Sequence, residues 1–109
     1  MGIIPHWTHI NDEILNKFKN NDNIIIINFN TYDNWQTIIK QILSCDFIVS
    51  ESLHGLIISD TYKIPNYYVS FGELKQDFKY EDYFLSIGKT PYKSYQITNN
   101  TTINDLLNL

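Results

Sequence analysis

The sequence contains no arginine, no alanine and a single cysteine, Cys45. One cysteine excludes an internal disulfide and a thiolate metal cage, and it fits a reducing compartment. Arginine is the usual bidentate partner of phosphate and carboxylate groups. An anion bound to this chain therefore has to be held by lysine, histidine, a helix N-terminus or a partner chain. Clustered positive charge is absent too: eight lysines are scattered among twelve acidic residues, for a net charge of -4. Without a basic patch, no nucleic-acid partner is expected. No apolar run approaches the ~20 residues of a membrane span. The opening residues lack the basic start and apolar stretch of a signal peptide, so the expected location is the cytoplasm. Glycine-rich phosphate loops, a Walker sequence and a Gly-x-Ser-x-Gly elbow are all missing. No cofactor is expected.

What is present suits one α/β domain over residues 1–109. Hydrophobic residues make up 43% of the chain, enough for a core at this length. Asparagine and isoleucine are abundant throughout, so a single exposed Asn carries no functional meaning. Gly2-Ile3-Ile4-Pro5-His6-Trp7 reads as a first strand. Natural domains rarely begin on a buried strand, and a fragment of a longer protein is expected. Asn11 to Asn20 spaces Ile14, Leu15 and Phe18 as a helix does, with Asp12 and Glu13 in the first turn. Asn23 to Phe29 holds four consecutive isoleucines, as a parallel strand buried on both faces requires. Asp33 to Ser44 is a helix with Trp35, Ile38, Ile39, Ile42 and Leu43 on one side. Asp46 to Ser50 is a short buried strand, and Leu53 to Tyr62 is a helix ended by Lys63-Ile64-Pro65. Asn66 to Phe71 is a strand. Asp77 to Ile87 is a helix, with Gly88 at its C-cap position. A polar stretch, Thr98 to Thr102, and a short terminal helix up to Leu109 complete the chain. Strand and helix alternate four times, which predicts a three-layer domain with a parallel sheet of about four strands in the order 2-1-3-4 and flanking helices.

Sheets of this kind bind ligands beyond the carboxyl ends of the strands, where the strand order reverses. That places His6, after the first strand, beside Ser50 to Gly55, after the third. Ser50 or Ser52 is suited to cap the following helix. His54 then lies in the first helical turn, where free N–H groups and the positive helix end attract anions. It is placed to donate to a phosphate or to move a proton. Gly55 allows a ligand or a neighbouring strand to approach the backbone. An equally weighted structural reading makes Ser52 a cap only and His54 a half-buried polar residue. A His54–Asp60 pair is excluded, because six helical residues separate them by about 9 Å and about 120°. Asp60 is expected to bond to backbone or to a lysine. His6, His9 and Asp12 have a loose metal-like spacing that crosses a strand end, and no metal is expected. Cys45 is expected to be an inert small hydrophobe, and Trp7 is more readily a packing residue than a sugar platform.

Ser44-Cys45-Asp46-Phe47-Ile48-Val49-Ser50-Glu51-Ser52-Leu53-His54-Gly55-Leu56-Ile57 resembles the signature segment of bacterial polysaccharide pyruvyl transferases. Ser59-Asp60-Thr61-Tyr62-Lys63-Ile64-Pro65-Asn66 is similar to the segment that follows it. Gly2 to Trp7 resembles the family's Gly-x-Ile-Pro-His-aromatic strand, and Asp77 to Gly88 its closing segment. Four matches in the right order cover nearly all of residues 2–88. The resemblance implies a Rossmann-like domain, the C-terminal half of a GT-B-like enzyme whose N-terminal half is missing here. It implies transfer of a pyruvyl ketal group from phosphoenolpyruvate to a lipid-linked or polymeric saccharide, with release of phosphate. The family histidine matches His54, which is thereby implied as the catalytic residue. Ser50, Ser52, Leu53, Gly55 and His6 are implied as substrate-binding. Many relatives carry arginine where this chain has Ser52, and Lys79 is the nearest substitute cation. Two alternatives remain open: a non-catalytic remnant or binding module of the same fold, and half of a nucleotide-sugar glycosyltransferase.

Overall fold

The computed structural model describes residues 1–29, 35–71 and 78–109, and of Trp7 only the backbone. Strand β1 (Gly2–Ile4) is followed by two 3-10 turns, Trp7–His9 and Glu13–Leu15, and by the short helix α1 (Asn16–Lys19). Then come β2 (Ile25–Ile26), α2 (Trp35–Leu43), β3 (Ile48–Ser50), α3 (Leu53–Thr61), β4 (Asn66–Phe71), α4 (Phe78–Ser86), β5 (Tyr95–Ile97) and α5 (Ile103–Leu107). The strands form one parallel sheet in the order β2-β1-β3-β4-β5. The expected 2-1-3-4 order is present, extended by a fifth strand.

Neighbouring residues of a strand point to opposite faces of the sheet, and the core divides accordingly. Ile3, Val49 and Val69 pack with Leu15, Phe18 and Leu106 on the face covered by α1 and α5. Ile4 and Ile48 pack with Ile38, Ile42 and Cys45 on the opposite face, under α2. A third cluster joins Leu56 of α3, Tyr68 of β4, and Tyr80 and Phe84 of α4. Helices on both faces of the sheet make up the three layers that the alternation of elements predicts. Cys45 is buried and bonds to Gln41 O. Among the described residues, no helix is long and apolar enough to cross a membrane.

Three details differ from the sequence reading. The isoleucine run forms only a two-residue strand, because β2 lies at the sheet edge with β1 as its one strand neighbour. Ile25 and Ile26 are half-buried there, whereas the flanking Ile24 and Ile27 are buried. The helix expected over Asn11 to Asn20 begins as a 3-10 turn, Glu13–Leu15, where the Asp12 carboxylate accepts from Ile14 N. Only Asn16–Lys19 is α-helical. A strand that the sequence reading did not include, β5, lies just before the polar stretch Thr98 to Thr102, and its Ile97 is fully buried against the core. The expected start residues of two helices, Asp33 and Asp77, lie outside the described residues.

The helix ends follow ordinary rules. Gly88 has φ +76°. Lys89 N donates to Phe84 O and Gly88 N to Leu85 O, closing α4 with a Schellman pair. The same pattern ends α3 at Lys63, with φ +59°.

Gly55 shows why α3 lies so close to the sheet. A Cβ there would run into Ser50 Oγ and come within 2.9 Å of Ile4 Cδ1. Gly55→Ala is therefore expected to destabilise the domain by about 1–3 kcal/mol through overpacking, although alanine favours helix by about 1 kcal/mol. Gly55→Leu should cost more. Thermal unfolding checks both, and an unchanged melting temperature would mean that α3 does not depend on this close approach.

The aromatic cluster carries an alkaline limit. Burial pushes the Tyr92 hydroxyl up to about 12, against the opposing effect of the Tyr68 N–H that donates to it. Tyr83 is raised as well, first by burial and then by its hydrogen bond to Asp60 and the charge of that carboxylate. A raised pKa means that folding favours the neutral phenol. That stability is complete below the ordinary value of 10 and is lost as pH rises through about 12. Melting temperature is expected to fall across this interval, and Tyr92→Phe should flatten the fall.

Candidate functional site

At the carboxyl edge of the sheet, the chain leaving β3 turns sharply into α3. The Ser50 hydroxyl makes this turn by itself: it donates to Ser52 O at 2.8 Å and accepts from Ser52 N at 3.1 Å. Ser50 is completely buried. Ser52 is the N-cap of α3, its hydroxyl accepting from Gly55 N. Leu53 packs partly against the aromatic cluster. His54 is exposed in the first helical turn. The Asp60 carboxylate, expected to bond to backbone or to a lysine, has two other side chains as its partners among the described residues. It accepts from Asn66 Nδ2 at 2.6 Å and from the Tyr83 hydroxyl at 2.7 Å, which locks the far end of α3 to β4 and α4.

The sequence reading missed the residue between the two serines. Glu51 is 8% exposed, a rare state for a carboxylate without partners. It has three. His6 N donates to Oε1 at 2.8 Å, and Phe71 N donates to Oε2 at 2.9 Å. His9 Nδ1 lies 2.8 Å from Oε1 and 2.9 Å from Oε2. Its backbone is held as well: Glu51 N donates to Ile4 O, and the Tyr80 hydroxyl donates to Glu51 O at 2.7 Å. One side chain thus joins the ends of β1, β3 and β4, and its backbone anchors α4.

Around Glu51 lies a pocket of about 150 Å³. Its walls are His6, His9 and Glu51 from one side of the sheet edge, with Tyr68, Ser70, Lys79 and Tyr80 from the other. Tyr68 and Tyr80 stack with centroids 4.2 Å apart. The Lys79 ammonium lies 5.5 Å from the Tyr80 ring centre. The His6 ring accepts from Thr8 N and contacts the Thr8 hydroxyl at 2.8 Å, capping the 3-10 turn that carries His9. His6 and His9 meet edge-to-face at 6.4 Å.

The pocket therefore brings together two of the sequence-predicted residues, His6 and Lys79. Ser50 and Gly55 serve the turn and the packing beneath it, and Ser52 serves as cap. His54 is presented on α3 and does not line this pocket. The side chain of Trp7 lies outside the described residues. In the His-x2-His-x2-Asp spacing, the three side chains have separate partners: Thr8 for His6, Glu51 for His9, and Ile14 N for Asp12. What could have revealed Glu51 is its place directly after Phe47-Ile48-Val49-Ser50. A charge that close to a buried strand needs a partner.

A family model described as polysaccharide pyruvyl transferase matches residues 2–73. An uncharacterized protein of Acanthamoeba polyphaga mimivirus is 36% identical over 115 residues, covering 98% of this chain and 40% of that protein. The chain thus spans about 40% of the length of the curated relative it matches. No solved structure matches it. The matched segment contains β1, β3, β4 and the Ser52-capped helix between them, and on that ground the chain belongs to the polysaccharide pyruvyl transferase family.

Proposed function

We propose that the protein transfers a pyruvyl group from phosphoenolpyruvate to a saccharide destined for a surface polysaccharide, working in the cytoplasm on a lipid-linked or polymeric acceptor. In this reading the domain is the donor-binding half of a two-domain enzyme. The observation that carries it is the family match over the very segment that builds the carboxyl edge: His6, the Ser52-capped start of α3 with His54 in its first turn, and the strands beneath.

The chemistry required is modest. Two sugar hydroxyls become bonded to C2 of the donor, the bond from C2 to the phosphate oxygen breaks, and the methylene gains a proton to become a methyl group. The domain has to hold an anionic donor without arginine. His54 is assigned to the donor phosphate at the N-terminus of α3, where unpaired N–H groups favour anions. Ser52 and Leu53 shape that approach, and Ser50 and Gly55 hold the turn that makes it possible. His6 and Lys79 supply donor groups from the adjoining pocket.

Calorimetric titration of the chain tests the reading. Phosphoenolpyruvate is expected to bind, and more tightly than any nucleotide sugar at equal ionic strength. Saturable binding of a nucleotide sugar, with phosphoenolpyruvate inert, would assign the domain to sugar-nucleotide chemistry instead.

A further inference from the structure

The pocket around Glu51 contains a histidine that the reading above leaves without a role. From its geometry we infer that His9 and Glu51 form a proton-transfer dyad, His9 acting as catalytic acid–base and Glu51 as its positioning residue. As a step in pyruvyl transfer this rests on the function proposed above. As an oriented histidine in a pocket it rests on geometry alone.

The orientation is overdetermined. A carboxylate only accepts hydrogen bonds, so the ring nitrogen 2.8 Å from Glu51 Oε1, Nδ1, is the one that carries hydrogen. In the neutral ring this leaves Nε2 with its lone pair free to take a proton. Edge-on contacts with Phe71 and His6, both at 6.4 Å, fix the ring plane. Glu51 cannot swing away, because the N–H groups of His6 and Phe71 hold both of its oxygens. The His9 side chain remains 24% exposed, and it lines the pocket beside Lys79 and Tyr80. A buried carboxylate oriented on a histidine that reaches a cleft is the arrangement that sets a general base in hydrolases and transferases alike.

The step balances as follows. C3 of phosphoenolpyruvate takes a proton from water, and a sugar hydroxyl oxygen bonds to C2 as its proton passes to His9 Nε2. The bond from C2 to the phosphate oxygen then breaks, its electron pair leaving with phosphate, which takes the proton from Nε2. The second hydroxyl closes the ketal at C2 and returns its proton to water. The Glu51 carboxylate, held by its backbone donors, offsets the charge that the ring gains.

The test is two-bond proton–nitrogen NMR on the histidine-labelled chain, together with turnover by the complete protein. His9 is expected in the Nδ1–H form, with Nε2 unprotonated when the ring is neutral. Glu51→Gln, if folded, should shift the ring toward the other tautomer. His9→Gln should lower kcat by roughly 10²–10⁴-fold while the KM for phosphoenolpyruvate moves only a few-fold. An Nε2–H ring in the unaltered protein overturns the dyad whether or not the Glu51 variant folds. So does a His9→Gln enzyme with kcat close to the original. An unaltered protein without pyruvyl transfer but with the Nδ1–H ring refutes the pyruvyl reading and leaves the oriented proton-transfer group standing.

Discussion

Glu51→Ala is expected to cost the protein about 3–5 kcal/mol of folding stability. The truncation does more than remove a surface charge. It takes the acceptor away from Phe71 N, which is buried, and from His6 N, which is partly buried. A donor orphaned in that way costs about 1–3 kcal/mol. It also strands His9 beside an empty volume at the junction of β1, β3 and β4. For a domain of this length the loss corresponds to a fall in melting temperature of well over about 10 °C. Glu51→Gln keeps an oxygen for one of the two backbone donors, so its loss should be clearly smaller. Chemical denaturation of the three proteins ranks them. An alanine variant within about 1 kcal/mol of the original would show that water replaces the carboxylate at little cost and that Glu51 is no structural hub.

The second large effect is expected at His54, and it is functional. His54 is exposed in the first turn of α3, so His54→Ala removes little packing and should leave stability nearly unchanged. On the proposed function it should remove a charge-assisted hydrogen bond to the donor phosphate worth about 1.5–3 kcal/mol, a tenfold to hundredfold loss in donor use. If His54 also moves a proton, roughly another 10²–10⁴-fold is lost from the rate. Steady-state kinetics with phosphoenolpyruvate as the varied substrate separates the two: a pure binding role raises KM, and a proton-transfer role lowers kcat. A variant within a few-fold of the original in both constants would leave His54 as a bystander on the helix surface.

These two residues also mark how far the sequence could be read. The layered fold was legible because its signals are local. Buried β-branched runs, helical spacing and punctuation such as Gly88 and Ile64-Pro65 decide the elements, and parallel pairing restricts their order. Gly55 was legible for the same reason: a glycine in the first turn of a helix that starts at a strand end signals close approach, and Ser50 and Ile4 supply it. Helix α3, its Ser52 cap and β4 were readable nearly to the residue. Strand β5 was hidden because Tyr95-Gln96-Ile97 is only three residues long, too short for the alternation of its two inward residues, Tyr95 and Ile97, to stand out. Glu51 was hidden for a different reason. Its partners come from residues 6, 9 and 71, far apart in the chain, and nothing near position 51 announces them. The sheet had to be assembled before a buried carboxylate between two serines could become the centre of the site.

The central claim, that this protein makes pyruvyl ketals, is tested most directly by following the donor's methylene carbon. The complete protein is incubated with phosphoenolpyruvate labelled at C3 and a saccharide acceptor, and the mixture is examined by carbon NMR with parallel assay of phosphate. The account predicts a new methyl signal attached to a ketal carbon, growing in step with an equal amount of released phosphate and absent without acceptor. Phosphate release with free pyruvate as its sole carbon product, or an unchanged donor beside a consumed nucleotide sugar, would contradict it.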